Sequence, residues 1–232
     1  MIFILTGAGI SRESGLATFR DKDGLWNKVR IEDVATPEAF YKNPEKIYEF
    51  YNFRRKELIK TVPNPAHLAL ANLERNYQYG VFLVTQNVDD LHEKAGSKKV
   101  LHMHGKLLSA LCAKCGDSRD WTTDLSSEDA CPNCGRKGTL RPNVVWFGET
   151  PYHLDEIDIA IRGCSIFVSI GTSGVVYPAA GLVQIAKSHG AATFELNLEP
   201  SANLDYFDQG FYGPASQIVP AWVEKILKNE VF

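Results

Sequence analysis

Four cysteines stand in two pairs, Cys112-x2-Cys115 and Cys131-x2-Cys134, fifteen residues apart, a spacing that matches a four-thiolate zinc ribbon. Each pair can wrap a tight turn, with Gly116 and Gly135 following its second cysteine, so that two thiolates from each knuckle complete a tetrahedral shell. Two redox CxxC motifs are an alternative that the paired spacing disfavours, and two disulfides one that the lack of a secretory signal disfavours. Four cysteine ligands leave no position for water or substrate. The metal, one zinc per chain, is therefore expected to be structural, and the chemistry to lie elsewhere.

His102-Met103-His104-Gly105 alternates as a strand does, which places both imidazoles on one face, with a glycine allowing a sharp exit. An imidazole near neutral pKa at such a point is a candidate general base. A lone histidine more often serves structure, so spacing by itself leaves His104 between the two roles. His67, His92, His153 and His189 have no such companion and read as surface or capping residues. Thr85-Gln86-Asn87-Val88-Asp89-Asp90 crowds amides and carboxylates at the end of an apolar run. One of the two aspartates can cap a helix starting at Leu91, which leaves the other groups for a ligand.

Two glycine turns stand at comparable points. Thr6-Gly7-Ala8-Gly9-Ile10-Ser11 follows the first apolar run, where an α/β nucleotide site places its phosphate-binding turn. A plain dinucleotide fingerprint needs a third glycine where Arg12 stands, and an acidic residue after the second strand. Neither is clear, which disfavours an ordinary dehydrogenase. Gly171-Thr172-Ser173-Gly174 and Asn197-Leu198-Glu199 close two later runs. Each alone is as readily a simple chain reversal, but together they suit a nucleotide pocket at the carboxyl edge of a sheet.

These groups need elements to position them. Ile2 to Leu5, Val81 to Thr85, Cys164 to Ile170 and Thr193 to Leu196 are short apolar runs of the kind that form buried parallel strands. Between them Ala66 to Asn76, Ala179 to His189 and Ala221 to Lys228 carry helical spacing, and the alternation predicts a doubly wound, Rossmann-like α/β sheet. Two segments interrupt it. Trp26 to Pro63 predicts helices starting at Thr36-Pro37-Glu38 and Asn43-Pro44-Glu45, a capping residue before proline. Lys106 to Thr139 holds the cysteines and too few apolar residues for a core of its own.

The 232 residues are 44% hydrophobic and 23% charged, which suits a folded soluble protein, and a formal net charge of -3 offers no broad attraction for nucleic acid or an anionic membrane. The zinc ribbon has no basic run beside it, so a nucleic-acid binder is the least favoured reading. Met1 to Leu5 lacks a basic leader and runs into the glycine turn, and no stretch approaches the ~20 apolar residues of a membrane helix. With a strand at its start and a helix near its end, the chain is expected to be a minimal, cytoplasmic, monomeric core.

Taken together, Gly7-Ala8-Gly9-Ile10-Ser11-Arg12-Glu13-Ser14-Gly15-Leu16-Ala17-Thr18-Phe19-Arg20, Thr85-Gln86-Asn87-Val88-Asp89, His104-Gly105, the cysteine pairs and Gly171-Thr172-Ser173 resemble the sirtuins, NAD-dependent protein deacylases. The resemblance runs from about Ile2 to Leu227. It departs at Ala17-Thr18, where many members carry proline then aspartate. It implies a Rossmann-like NAD-binding domain (1-26, 64-105 and 140-232) and a small domain of helical insert and zinc ribbon (27-63 and 106-139).

By the same resemblance Gly7, Ala8, Gly9, Ser11, Phe19 and Arg20 line the phosphate and ribose region. Gln86, Asn87 and Asp89 line the ribose and nicotinamide pocket, and Gly171, Thr172, Ser173, Asn197, Glu199 and Ala215 the adenosine side. His104 is implied as the base and Asn87 as its catalytic companion. The implied reaction has the acyl oxygen of an acylated protein lysine attack C1' of the nicotinamide ribose, then has His104 deprotonate a ribose hydroxyl, giving free lysine, nicotinamide and O-acyl-ADP-ribose. The peptide backbone is implied to pair between Val145-Trp146-Phe147-Gly148-Glu149 and Gly174-Val175-Val176-Tyr177, with Val145, Phe147, Gly148, Glu149 and Val175 as its contacts.

Tyr51-Asn52-Phe53-Arg54 puts Tyr51 and Arg54 on one helical face, where a phenol and a guanidinium can bind a carboxylate. On spacing alone a solvated arginine is the commoner outcome. The pair, however, is similar to the mark of class III sirtuins, and it implies preference for succinyl-, malonyl- or glutaryl-lysine over acetyl-lysine. Rival readings are mono-ADP-ribosyl transfer to protein and a non-catalytic NAD- or acyl-lysine-binding module.

Overall fold

A computed structural model describes residues 1–16 and 30–230. Its central strand is β1 (Ile2–Thr6), buried along its whole length, as an unbroken apolar run must be where both faces of a parallel sheet are covered. There follow α1 (Ala8–Ser11), α2 (Pro37–Lys42), α3 (Pro44–Lys60), α4 (Pro65–Asn76), β2 (Val81–Thr85), α5 (Leu91–Lys94), β3 (Val100–His102), β4 (Gly105–Cys112), β5 (Ser118–Asp120) and β6 (Leu140–Val144). The chain continues through α6 (Leu154–Arg162), β7 (Ile166–Ile170), α7 (Leu182–Ser188), β8 (Ala192–Asn197), β9 (Gln209–Tyr212) and α8 (Ala215–Leu227).

Six strands form a parallel sheet in the order β3-β2-β1-β7-β8-β9. The chain builds outward from β1 through β2 and β3, then returns to the other side of β1 for β7, β8 and β9. The order therefore reverses between β1 and β7, and the carboxyl ends of those two strands flank the crevice in which open α/β sheets bind ligands.

Alternation along β1 sorts its side chains between two layers. Ile2 and Ile4 pack with Leu70 and Leu73 of α4 and with Val219, Trp222 and Ile226 of α8. Phe3 and Leu5 point the other way, to Ile157 and Ile161 of α6 and Leu182, Val183 and Ala186 of α7. The four strands expected from apolar runs are all present within two residues of their expected ends. Helix α8 begins six residues before Ala221, with Pro220 inside it, because Val219 and Trp222 bury on the sheet and hold a turn that a proline would otherwise end.

The remaining elements build a second module. Thr36 Oγ1 accepts from Ala39 N at 3.2 Å and Asn43 Oδ1 from Lys46 N at 3.2 Å, so each starts a helix whose first residue is proline. Strands β5, β4 and β6 form an antiparallel ribbon. Phe40, Ile47, Tyr48, Tyr51 and Leu58 from the helices meet Leu107, Ala110, Cys112, Leu125, Cys131, Leu140, Val144 and Trp146 from the ribbon and its flanks in one apolar cluster. Neither segment holds enough apolar surface alone; each is the other's core. Among the described residues no helix is long and apolar enough to cross a membrane.

Candidate active site and metal centre

The four cysteines converge. Their sulfur atoms lie within 4.8 Å of one another, with Cys112 to Cys134 and Cys115 to Cys131 each at 3.8 Å. A tetrahedron of Zn–S bonds about 2.3 Å long has edges of roughly 3.8 Å, so the donor set fits zinc. Each knuckle is closed by a backbone bond, Gly116 N to Cys112 O and Gly135 N to Cys131 O, and both glycines sit at positive φ. The protein's structural metal is thus zinc.

At the sheet's switch point the two glycine turns meet backbone to backbone. Gly7 N donates to Ile170 O and Gly9 N to Gly171 O, both at 2.9 Å, while Gly171 N reaches Leu196 O. A Cβ on Gly9 would come within 2.7 Å of Gly171 Cα, and one on Gly171 within 2.4 Å of Ile10 N. The seam therefore admits no side chain from either turn. Gly7 is extended and α1 begins with no side-chain cap; backbone carbonyls take its early amides instead, Gly171 O that of Gly9 and Gly7 O that of Ile10. Ala8 is half-buried beside them.

The run after β2 is fixed between its neighbours. Gln86 N donates to Thr6 O, and Asn87 N to Thr85 Oγ1. Asn87 Nδ2 donates to Gly7 O and to Ser11 Oγ, both at 3.1 Å, and Ser11 Oγ donates to Asp89 Oδ2 at 2.9 Å. Asp89 also receives Leu91 N, the first amide of α5, on Oδ1, although the cap position itself is held by Asp90, which makes no side-chain cap bond. Burial raises the pKa of its carboxyl against the pull of Leu91 N and Ser11.

His104 Nδ1 lies 3.1 Å from Gln86 O. A carbonyl can only accept, so Nδ1 carries the proton and Nε2 keeps its lone pair. Burial lowers the pKa of this imidazole while the Gln86 carbonyl opposes the shift, so it is neutral at pH 7. A half-buried neutral imidazole with an available Nε2 is equipped to take a proton. His102 Nδ1 makes the same contact with Asn87 O, but its Nε2 is closed by Glu93 Oε1 at 2.8 Å and the ring is buried. The neighbouring histidines thus have unlike outlets.

Two histidines read as surface or capping residues are in fact fully buried. His67 does complete the α4 cap, accepting Asn64 N on Nδ1, but its ring lies inside the fold with Nε2 3.4 Å from Ser11 Oγ. His92 Nε2 contacts Thr6 Oγ1 at 3.0 Å. Desolvation lowers His67 to about 4 and His92 to about 3. Their neighbours come from elements far apart in sequence, which is why local pattern placed them outside. His153 and His189 are exposed at the ends of α6 and α7.

At the next strand end Asn197 Nδ2 donates to Thr172 O at 2.7 Å, and Ser169 Oγ and Thr172 Oγ1 lie 2.7 Å apart. Ser173 O receives Ala202 N, Ala215 is half-buried at the start of α8, and Glu199 is exposed. The carboxylate that the strand buries is Glu195, which accepts from Ser201 N and the Tyr212 hydroxyl. No sequence signal separated it from its apolar neighbours. Phe19 and Arg20, with Ala17 and Thr18, lie outside the described residues.

Beyond β6 the chain makes a braced loop. Arg141, buried, donates to both oxygens of Glu149 at 2.6 and 2.8 Å and stacks 3.6 Å from the Trp146 ring centroid. Trp146 N donates to Glu149 Oε2, Val145 N to His104 O and Phe147 N to Ala35 O. Burial raises the Glu149 carboxyl, but the Arg141 fork and the Trp146 amide outweigh it and leave the pKa lowered. Glu149 thus spends its carboxylate inside the turn that Gly148, at positive φ, closes. Phe147 and Val175 are 52% and 53% exposed, so both strips present apolar groups to solvent.

Helix α3 faces this loop. The buried Tyr51 hydroxyl accepts from Trp146 Nε1 at 3.0 Å, which leaves its own proton to donate. Arg54 is half-buried, its guanidinium 5.9 Å from the Tyr51 ring centroid. Burial lowers the Arg54 pKa while Tyr51 and Asp89 favour its charge, so the α3 pair and the Asp89 network share one electrostatic neighbourhood. The spacing indicated the pair; it held no sign of Trp146, 95 residues away.

Comparison with known proteins follows the same lines. The Sir2 family model matches residues 7–178. The chain is 55% identical over 234 residues to the NAD-dependent protein deacylase SIR2rp3 of Trypanosoma brucei brucei, covering 99% of this chain and 96% of the relative. It is 55% identical over 230 residues to the NAD-dependent protein deacylase of Escherichia coli K12, covering 98% and 82%. A solved complex of a Sir2 homologue with NAD superposes with a TM-score of 0.90 at 40% identity, over 99% of this chain and 90% of that one. Sir2 bound to an acetylated peptide superposes with a TM-score of 0.79 at 30% identity, over 97% and 92%.

Proposed function

The chain belongs to the Sir2 family and is an NAD-dependent lysine deacylase, and from that premise we propose that it removes acidic acyl groups, succinyl and malonyl, in preference to acetyl. The observation that carries the preference is the α3 pair: a buried phenol with its proton to spare and a guanidinium beside it, next to the loop at Val145 to Glu149. Together they offer a carboxylate one O–H donor and a planar fork.

NAD supplies the ribose carbon that receives the acyl oxygen and the nicotinamide that departs. Gly7, Ala8, Gly9 and Ser11 would hold its phosphate side and, with Phe19 and Arg20, the adjoining ribose. Gln86, Asn87 and Asp89 would hold the nicotinamide ribose, and Gly171, Thr172, Ser173, Asn197, Glu199 and Ala215 the adenosine side. Asn87 is locked by two hydrogen bonds and held by a third from its backbone, so it can fix a ribose without reorganising. His104 Nε2 would accept a ribose hydroxyl proton, its tautomer set by Gln86 O.

Val145, Phe147, Gly148, Glu149 and Val175 would flank the peptide, Glu149 through the shape it gives the loop, and backbone pairing there reads little sequence. The two-part division, 1-26 with 64-105 and 140-232 against 27-63 with 106-139, would put the acyl pair on the smaller part. On this reading the products are free lysine, nicotinamide and O-acyl-ADP-ribose.

The test is mass spectrometry of acetyl-, malonyl- and succinyl-lysine peptides incubated with NAD. Succinyl and malonyl turnover should exceed acetyl turnover, and Arg54→Met should depress the first two far more than the third. Equal loss of all three would sink the acyl assignment. ADP-ribose left on protein in place of O-acyl-ADP-ribose would favour transfer over deacylation.

A further inference from the structure

Tyr51 and Arg54 alternate along α3 with a second pair, Asn52 and Arg55, which neither the reaction nor the acyl reading uses. On a helix of 3.6 residues per turn the two stripes lie about 100° apart around the axis. While the first faces Trp146, the second is bonded into the zinc ribbon. Asn52 Nδ2 donates to Leu125 O at 2.8 Å and Asn52 Oδ1 accepts Leu125 N at 2.9 Å, a reciprocal pair. Arg55 Nη1 donates to the same Oδ1 at 2.7 Å, and Arg55 Nε to Leu107 O at 3.2 Å.

Both anchors belong to the metal module. Leu107 lies on β4, which ends at Cys112, and Leu125 lies between the two cysteine pairs. Arg55 is 1% exposed, and its Nη2 has no partner among the described residues. A buried guanidinium that hydrogen-bonds only neutral oxygens is an expensive way to stabilise a helix. It is a specific way to set the rotation of one, because Arg55 and Asn52 grip two different parts of the ribbon.

We propose that Asn52 and Arg55 are positioning residues for acyl selectivity, fixing the rotation of α3 against the zinc ribbon so that Tyr51 and Arg54 face the acyl group. This rests on the acidic-acyl reading above. A roll of about 20° carries a group about 6 Å from the axis through about 2 Å, enough to break a bidentate contact with a carboxylate. An acetyl group makes no such contact and is indifferent to the roll. The ribbon thereby enters substrate choice through helix register.

The experiment compares kcat/KM for a succinyl-lysine and an acetyl-lysine peptide of one sequence, in the zinc-loaded wild type and in Asn52→Ala, Asn52→Asp, Arg55→Lys and Arg54→Met, each checked for zinc content and melting temperature. The expected result is a succinyl-to-acetyl ratio about tenfold lower in Asn52→Ala, through a higher KM for the succinyl peptide. Asn52→Asp, which keeps the oxygen that Leu125 N and Arg55 share, should recover most of it. A wild-type ratio in folded, zinc-containing Asn52→Ala overturns the proposal. Should that variant lose its zinc, Arg55→Lys decides: a lowered ratio supports the proposal and an unchanged one overturns it. A shift in Arg54→Met alone leaves the acyl reading standing without this inference; a wild type with no preference for succinyl removes both.

Discussion

Replacing Gly171 by alanine tests whether the cofactor crevice depends on contact between two bare backbones. Gly171 has φ +64, and its added Cβ would lie 2.4 Å from Ile10 N and 2.7 Å from Gly9 C. Ordinary contact begins near 3.4 Å, so the turns must part by about 1 Å, which breaks the 2.9 Å bond from Gly9 N to Gly171 O. Left-handed backbone at alanine costs about 1–2 kcal/mol, offset in part by the stiffer unfolded chain, and the lost hydrogen bond adds about 1 kcal/mol. With loosened packing the sum is about 3 kcal/mol, a fall in melting temperature of roughly 6–12 °C for a chain of this length.

Gly190→Ala is the control, because Gly190 has φ +85 and nothing within 4 Å of its would-be Cβ. It should lose only the backbone part, about 1 kcal/mol or roughly 2–4 °C. Differential scanning calorimetry of both variants, with KM for NAD, provides the comparison. KM should rise about tenfold in Gly171→Ala and stay unchanged in Gly190→Ala. If the two melt within a degree of each other and bind NAD alike, close approach is not why glycine stands at 171.

Three further outcomes follow from the same structure. His67 and His92, held at about 4 and about 3 when folded against 6.5 unfolded, bind fewer protons in the folded state. Stability is then full above pH 6.5 and declines as pH falls toward those values, by up to about 2 kcal/mol per histidine between pH 7 and pH 5; urea titrations that show no decline over that window would contradict the burial. His104→Tyr should give a folded, zinc-containing protein with little activity on any acyl-lysine, while wild-type turnover should fall at acid pH as Nε2 protonates. Substantial turnover in the variant would remove His104 from its role. Cys131→Ser should abolish stoichiometric zinc and loosen the ribbon, since Cys131 also lies in the apolar cluster with α3; full zinc retention by atomic absorption would contradict the four-thiolate centre.

Features set by near neighbours in the chain were legible in the sequence. The cysteine knuckles, the caps at Thr36 and Asn43 and the buried strands each depend on a few consecutive residues, and their types announce them. The glycines at 7, 9 and 171 pointed to a strand-edge pocket, although only the fold reveals that the two turns touch each other. What pattern could not supply was pairing across the fold. Tyr51 and Trp146, Arg141 as a brace, Glu195 inside a strand and the buried His67 and His92 all owe their roles to partners that periodicity does not name. The unpredicted β9 is a short edge strand that is largely exposed, so it lacked an apolar run to mark it.

The bracing of residues 141 to 149 bears on how quickly and how broadly the enzyme can act. With Glu149 gripped on both oxygens and Trp146 sandwiched under a guanidinium, the loop proposed to receive the peptide is ordered before any peptide arrives. A target then loses freedom on only one side of the encounter. Docking should proceed in a single fast phase with no slow rearrangement, and peptides of unrelated sequence should bind with similar rates, differing chiefly in how soon they leave.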